Sequence, residues 1–161
     1  MMKYFSAVAI TTLLTVGHVG AVERHKVQSP IIKVSDKYDF DLETLLQDAK
    51  GGDIDSQQAL GIMYEYGSND FGIQQDYTEA MRWYRIAAKG GSTFSKYNIG
   101  RLYENGRGVP QDYVEAHKWF NLAAAQAQIY AEDRDTLASR MTPDQIAEAQ
   151  RLAREWMAER Q

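Results

Sequence analysis

The 161-residue chain has no cysteine, only three prolines, only three histidines and no surplus of positive charge. Without cysteine no disulfide can brace it, so packing alone must hold the fold. Scarce proline leaves long stretches free to run as helix. His18, His25 and His117 have no companions at metal-ligand spacing, which speaks against a zinc site, and His117 reads as lying on the outward side of a helix. Eighteen Lys and Arg stand against 22 Asp and Glu. No basic stripe interrupts that balance, which excludes nucleic acid as the expected partner.

Long apolar runs are also missing. The longest, Tyr4 to Gly17, covers about 14 residues, short of the roughly 20 that span a bilayer. It follows Met1-Met2-Lys3 and precedes Val19-Gly20-Ala21, so residues 1–21 read as a secretory signal peptide cut after Ala21, leaving no membrane span. No cysteine lies at the cut, which argues against a lipid anchor. Removal of Lys3 leaves 17 basic against 22 acidic residues, a formal charge of −5. Residues 22–38 are polar, carry Ser29-Pro30 and lack helical period, so they read as a flexible leader before a folded part at 39–161.

What the chain does have is a repeat. Leu60-Gly61-x-x-Tyr64-x-x-Gly67 returns as Ile99-Gly100-x-x-Tyr103-x-x-Gly106. Gln75-Asp76-Tyr77-x-x-Ala80-x-x-Trp83-Tyr84-x-x-Ala87-Ala88 returns as Gln111-Asp112-Tyr113-x-x-Ala116-x-x-Trp119-Phe120-x-x-Ala123-Ala124. The first strings lie 39 residues apart and the second 36, which places a three-residue insertion in the loop between Gly67 and Gln75. Each copy shows three- and four-residue apolar steps in two blocks, the pattern of two amphipathic helices. Asp76 with Glu79 and Asp112 with Glu115 predict a capping box at each second helix. Gly61 and Gly100, costly inside a helix, predict close contact beneath Tyr84 and Phe120. Such a hairpin cannot bury its apolar face alone, so the expected fold is all-α, a solenoid of about seven helices.

Gly106-Arg107-Gly108-Val109-Pro110-Gln111-Asp112-Tyr113 followed by Ala116, Trp119-Phe120 and Ala123-Ala124 resembles the Sel-1-like repeat (SLR), a relative of the tetratricopeptide pattern. The resemblance covers roughly Leu42 onward. It predicts repeats at about 54–90 and 93–126, an N-terminal cap helix at 41–50 and a degenerate C-terminal hairpin at 128–160. Thr142-Pro143-Asp144-Gln145 has the signature of a helix start. Ile146, Ala149, Leu152, Ala153 and Trp156 after it predict a stripe turned toward the stack.

Catalytic chemistry is not legible. Some SLR proteins are linked to β-lactam hydrolysis, yet the residue three before Lys96 is Thr93, so the required Ser-x-x-Lys is absent. The reading is therefore non-enzymatic, with no cofactor and no metal. The resemblance implies that the first helices line a concave surface. Gln58, Ile62, Glu65 and Tyr66 in one copy and Tyr97, Arg101, Glu104 and Asn105 in the other are the candidate contacts there, with Tyr66 and Tyr97 as exposed aromatics. The expected function is a periplasmic or secreted scaffold or adaptor that binds a protein or peptide segment. One alternative is a cell-wall-directed module that binds or hydrolyses peptidoglycan, recognisable by aromatics beside a carboxylate pair in one cleft. Another is a structural piece of a larger assembly, with Trp156 and Met157 as its exposed patch.

Overall fold

The computed structural model describes residues 41–159. The signal peptide and leader lie outside the described residues. Seven α-helices follow in order among those described: α1 (Leu42–Lys50), α2 (Ile54–Tyr66), α3 (Tyr77–Lys89), α4 (Thr93–Asn105), α5 (Tyr113–Ala124), α6 (Ala131–Ala138) and α7 (Pro143–Ala158). The architecture is all-α, consecutive antiparallel helices packed as a solenoid.

Six of the seven helix starts are held by a side chain that accepts a backbone N–H: Asp41, Asp53, Asp76, Ser92, Asp112 and Thr142. Each such cap contributes about 1 kcal/mol. The predicted capping boxes of α3 and α5 form only by half. Asp76 Oδ1 accepts from Thr78 N at 2.8 Å and Glu79 N at 3.0 Å, and Asp112 Oδ1 does the same for Val114 and Glu115. Neither glutamate reaches back, because the cap residue's own N–H already donates across the hairpin. Asp76 N–H goes to the Tyr64 carbonyl at 2.7 Å, and Asp112 N–H to the Tyr103 carbonyl at 3.0 Å. The complete box is at Thr142 and Gln145. The repeated glutamines finish the closure: Gln75 Nε2 donates to the Glu65 carbonyl and Gln111 Nε2 to the Glu104 carbonyl. The Gln-Asp dipeptide thus ends the first helix and begins the second in both copies.

The glycines do what their position demands. A Cβ on Gly61 would stand 2.5 Å from the Tyr84 ring, and one on Gly100 would stand 2.6 Å from the Phe120 ring. Both rings are fully buried. Hydrogen therefore occupies the only space left between the two helices of each hairpin. The inserted loop folds back on itself, with Ser68 and Ile73 exchanging backbone hydrogen bonds at 2.7 and 2.9 Å around a short 3-10 turn, Asn69–Phe71. Its Ile73 side chain is buried, so the three extra residues do not disturb the helices on either side.

Arginines tie neighbouring units. Arg107, from the loop after α4, lies 5.5 Å from the Tyr77 ring at the start of α3. Arg140, after α6, lies 4.6 Å from the Tyr113 ring at the start of α5 and pairs with Glu104 at 2.9 Å. Each cation–aromatic contact is worth about 0.5–1 kcal/mol at such exposed sites.

At the N-terminal end α1 covers α2 and Trp83 with Leu45 and Ala49, and Gln57 Nε2 donates to the Ala49 carbonyl. The C-terminal end departs from the pattern: α6 and α7 each pack against α5 instead of closing on each other as α2–α3 and α4–α5 do. The last unit lacks a glycine beneath an aromatic ring, so its helices have no means of close approach. The α7 stripe turns inward, with Ala149 and Ala153 buried and Trp156 meeting Trp119 edge to face at 5.5 Å.

Gly100→Ala is expected to destabilise the protein by about 1–3 kcal/mol despite alanine's better helix propensity, because the methyl displaces Phe120. Thermal unfolding checks this, and an unchanged or higher Tm would contradict it. Deleting residues 142–161 uncovers Trp119 and Leu122 and is expected to cause aggregation, measured by sedimentation; a folded, monomeric product would show that α7 is dispensable.

Candidate functional site

The first helices α2 and α4 bring four of the eight candidate contacts, Glu65, Tyr66, Tyr97 and Arg101, into one cluster. Glu65, near the end of α2, is 2% exposed, not a free contact group as its helix position implied. Its Oε2 accepts the Tyr84 hydroxyl at 2.7 Å and its Oε1 lies 3.6 Å from Arg101 Nη1. Burial, and then the Glu65 charge, push the Tyr84 phenol well above its ordinary range, so it stays a donor. Arg101 is half-buried and also donates to Asn98 Oδ1 at 3.1 Å. Burial works against its charge, but the Tyr66 hydroxyl and the Glu65 carboxylate outweigh it and raise its pKa. Tyr66 is 58% exposed, the open edge of the cluster.

Tyr97 continues it toward the C-terminus. Its ring stacks on Tyr130 at 4.6 Å and leans on Phe120 at 5.5 Å, which makes it half-buried, not the exposed aromatic expected. Burial, followed by the hydrogen bond and charge of Asp133, pushes its phenol up to about 12. The remaining candidates lie farther along the same helices. Gln58 accepts the Ser92 hydroxyl at 2.8 Å and ties α2 to the start of α4. Ile62 is partly buried against the core. Glu104 holds Arg140, and Asn105 Nδ2 donates to the Arg101 carbonyl at 2.8 Å.

Several members were missed in the sequence. Tyr84 reads only as a packing residue, yet it is the donor that makes a buried Glu65 tolerable. Its signal was in the repeat: Tyr84 aligns with Phe120 and Glu65 with Glu104, so the copy with the hydroxyl has the buried carboxylate and the copy without it sends its glutamate outward. Tyr130 and Asp133 sit beyond the matched repeats, where no pattern pointed to them. His117 also departs from expectation. It is 3% exposed on α5, with Asn121 Nδ2 of the same helix at 3.1 Å from its Nδ1.

A recess of about 530 Å³ lies elsewhere, lined by Arg85, Tyr103, Gln111, Asp112, Glu115 and Trp119. It places aromatics beside two carboxylates, but both are engaged: Asp112 caps α5, and Glu115 is held by Lys118 and the Trp119 indole N–H at 3.2 Å. Among the described residues no three His, Asp or Glu side chains gather as a metal site, and no helix is long and apolar enough to cross a membrane.

Glu65→Gln keeps an acceptor for Tyr84 but strands the Arg101 charge, and an expected loss of about 1–3 kcal/mol follows for a pair with one partner a third exposed. Urea unfolding measures it. The double variant Glu65→Gln/Arg101→Gln should lose less than the sum of the singles; strict additivity would show that the two side chains do not interact.

The Sel1 repeat model matches residues 54–92 and 93–127. A sel1-like repeat-containing protein of Acanthamoeba polyphaga mimivirus, L21, is 41% identical over 59 residues, 37% of this chain. The chain spans only 10% of that relative's length. Among solved structures, a protective antigen present in uropathogenic Escherichia coli strains and displaying an SLR fold superposes with a TM-score of 0.67 at 28% identity, over 72% of this chain and 25% of the antigen. A Sel1 repeat protein from Oxalobacter formigenes is 34% identical over 52% of this chain and 33% of its own, with a TM-score of 0.47. Two Sel1 repeats matched end to end, with ring-over-glycine hairpins and an SLR-fold neighbour, make residues 54–127 of this chain a Sel1 repeat array.

Proposed function

We propose that this protein is a non-catalytic scaffold or adaptor of the bacterial envelope that binds a protein segment along its first-helix face, the concave side of the repeat stack. Sel1 repeats generally mediate protein–protein interaction. The observation that carries the placement is the side-chain ladder from Tyr66 through Arg101 to Tyr97 and Tyr130, which crosses three successive units on one face. Tyrosine and arginine are the side chains that most often anchor interfaces. Beneath them Glu65 fixes Arg101 in place before any partner arrives, which reduces the ordering cost of binding. Export through the signal at residues 1–21 puts the mature chain in the periplasm or outside the cell, with cell-wall proximity as a consequence.

The alternative, a module directed at peptidoglycan, rests on the recess beside Trp119. Its two carboxylates serve the α5 cap and an ion pair, which favours the first-helix face over that recess. The proposed mechanism is affinity alone, with no bond made or broken.

Photo-crosslinking in intact cells tests the placement. A benzophenone side chain at Tyr66 is expected to capture a protein segment, and the same probe at Arg154, exposed on α7, is not. Capture at Tyr66 should fall at least tenfold when Arg101→Ala is added. Equal capture at both positions, or recovery of glycan fragments from Tyr66, would overturn the reading.

A further inference from the structure

We propose that the recess between the second helices α3 and α5 is a docking site for a peptide carboxylate, with Arg85 as the side chain that takes it. The repeat itself singles out Arg85. It stands 39 residues after Leu46, as Lys89-Gly90-Gly91 stands 39 after Lys50-Gly51-Gly52, so the two side chains hold matching places on α3 and α1. In the first unit Leu46 packs with Tyr64 against the cluster that contains Trp83. In the second, the matching tyrosine and tryptophan, Tyr103 and Trp119, line an open recess of about 530 Å³ together with Arg85. That volume lies within the range of small-ligand sites. A leucine meets the packing need at this place, whereas Arg85 is exposed and supplies a charge instead.

Of the four charged side chains lining the recess, Arg85, Asp112, Glu115 and Lys118, three are committed within the chain. Glu115 takes Lys118 through both oxygens at 3.2 Å, and the Trp119 indole N–H as well. The first unit repeats that pair as Glu79 and Arg82, so it belongs to the common frame. Asp112 caps α5 through one oxygen, and its other oxygen accepts no hydrogen bond among the described residues. Arg85 is the fourth. Its Nη2 donates to the Tyr103 hydroxyl at 2.6 Å, and no carboxylate of the described residues lies within ion-pair distance of it. The tyrosine orients the guanidinium and leaves its remaining N–H groups open.

These groups select the ligand. A guanidinium fork matches a planar carboxylate through two parallel hydrogen bonds. The Asp112 and Glu115 carboxylates in the same walls repel a doubly charged phosphate more than a singly charged carboxylate. The open Asp112 oxygen accepts an N–H, which a peptide carries beside its carboxylate. That chemistry is shared by a free C-terminus and by an acidic side chain within a peptide. Tyr66, Tyr97, Arg101 and Tyr130 do not line the recess, so this site and the first-helix face stand or fall separately.

NMR titration of the full chain, followed at the Trp119 indole and the Arg85 backbone amide, tests this with three probes. They are acetyl-Ala-Ala-Ala as the free acid, the same peptide as its C-terminal amide, and acetyl-Ala-Glu-Ala as the amide. The acidic probes are expected to bind with a Kd of about 1 mM, and the neutral amide at least about tenfold more weakly. Tighter binding of the free acid assigns a chain terminus as the docking group; tighter binding of the Glu peptide assigns an acidic side chain. Arg85→Leu, which installs the residue of the first unit, should keep the parent Tm and lose at least about tenfold in affinity. Arg85→Gln should lose as much, and it decides the matter if the leucine variant does not fold. Four results each overturn the proposal: no shift with any probe, equal binding of free acid and amide, unchanged affinity in the Arg85 variants, or tighter binding of inorganic phosphate than of either acidic probe. A working recess with no partner captured at Tyr66 would sink the face reading and leave this site standing.

Discussion

A helix backbone can lie directly against a flat aromatic ring where it presents no Cβ, and both hairpins of this protein are assembled on that contact. Tyr84 covers Gly61 and Phe120 covers Gly100, at separations that even one methyl group would violate. The helix pays roughly 1 kcal/mol for each glycine, and the gain is two large side chains removed entirely from water, each worth about 1.5–3 kcal/mol. The chain between the helices is then set by hydrogen bonds, since the cap residue of the second helix must donate its own N–H to the first. That single donation explains why the glutamates of the expected capping boxes point elsewhere, Glu79 toward Arg82 and Glu115 toward Lys118.

The two copies share this frame and differ in what hangs from it. One oxygen separates Tyr84 from Phe120, and the difference propagates across the first-helix face. With the hydroxyl, Glu65 is buried and pins Arg101; without it, Glu104 turns outward and pairs with Arg140. A buried carboxylate is tolerable only with such partners, so the ladder through Arg101 has a defined geometry before any ligand is present. The first-helix face thus differs from unit to unit while the hairpin scaffold under it stays the same.

At the C-terminal end the frame runs out. α6 has neither glycine nor side-chain cap, and α7 reaches past it to seat Ala149, Ala153 and Trp156 on α5. A short helix without a side-chain cap thus follows directly on Tyr130, the residue that covers Tyr97.

Much of this was legible in the residues. The repeat, the helix starts at Asp76, Asp112 and Thr142, the ring-over-glycine contacts and the inward stripe of α7 all follow from periodicity and from the conformational cost of glycine, which leave their mark in any one sequence. Burial across units does not act that way. Glu65 and His117 sit at helix positions that read as outward, yet both are buried, and Tyr97 sits at one that reads as exposed; Tyr84 closes over Glu65 and Tyr130 over Tyr97. The chain alone determined that hairpins form and where each one turns, because the repeat carries the same glycine, ring and Gln-Asp pair in both copies. Which polar groups end up sealed was decided by the tertiary structure, because that depends on side chains brought in from other helices, as Tyr84 and Arg101 are brought to Glu65.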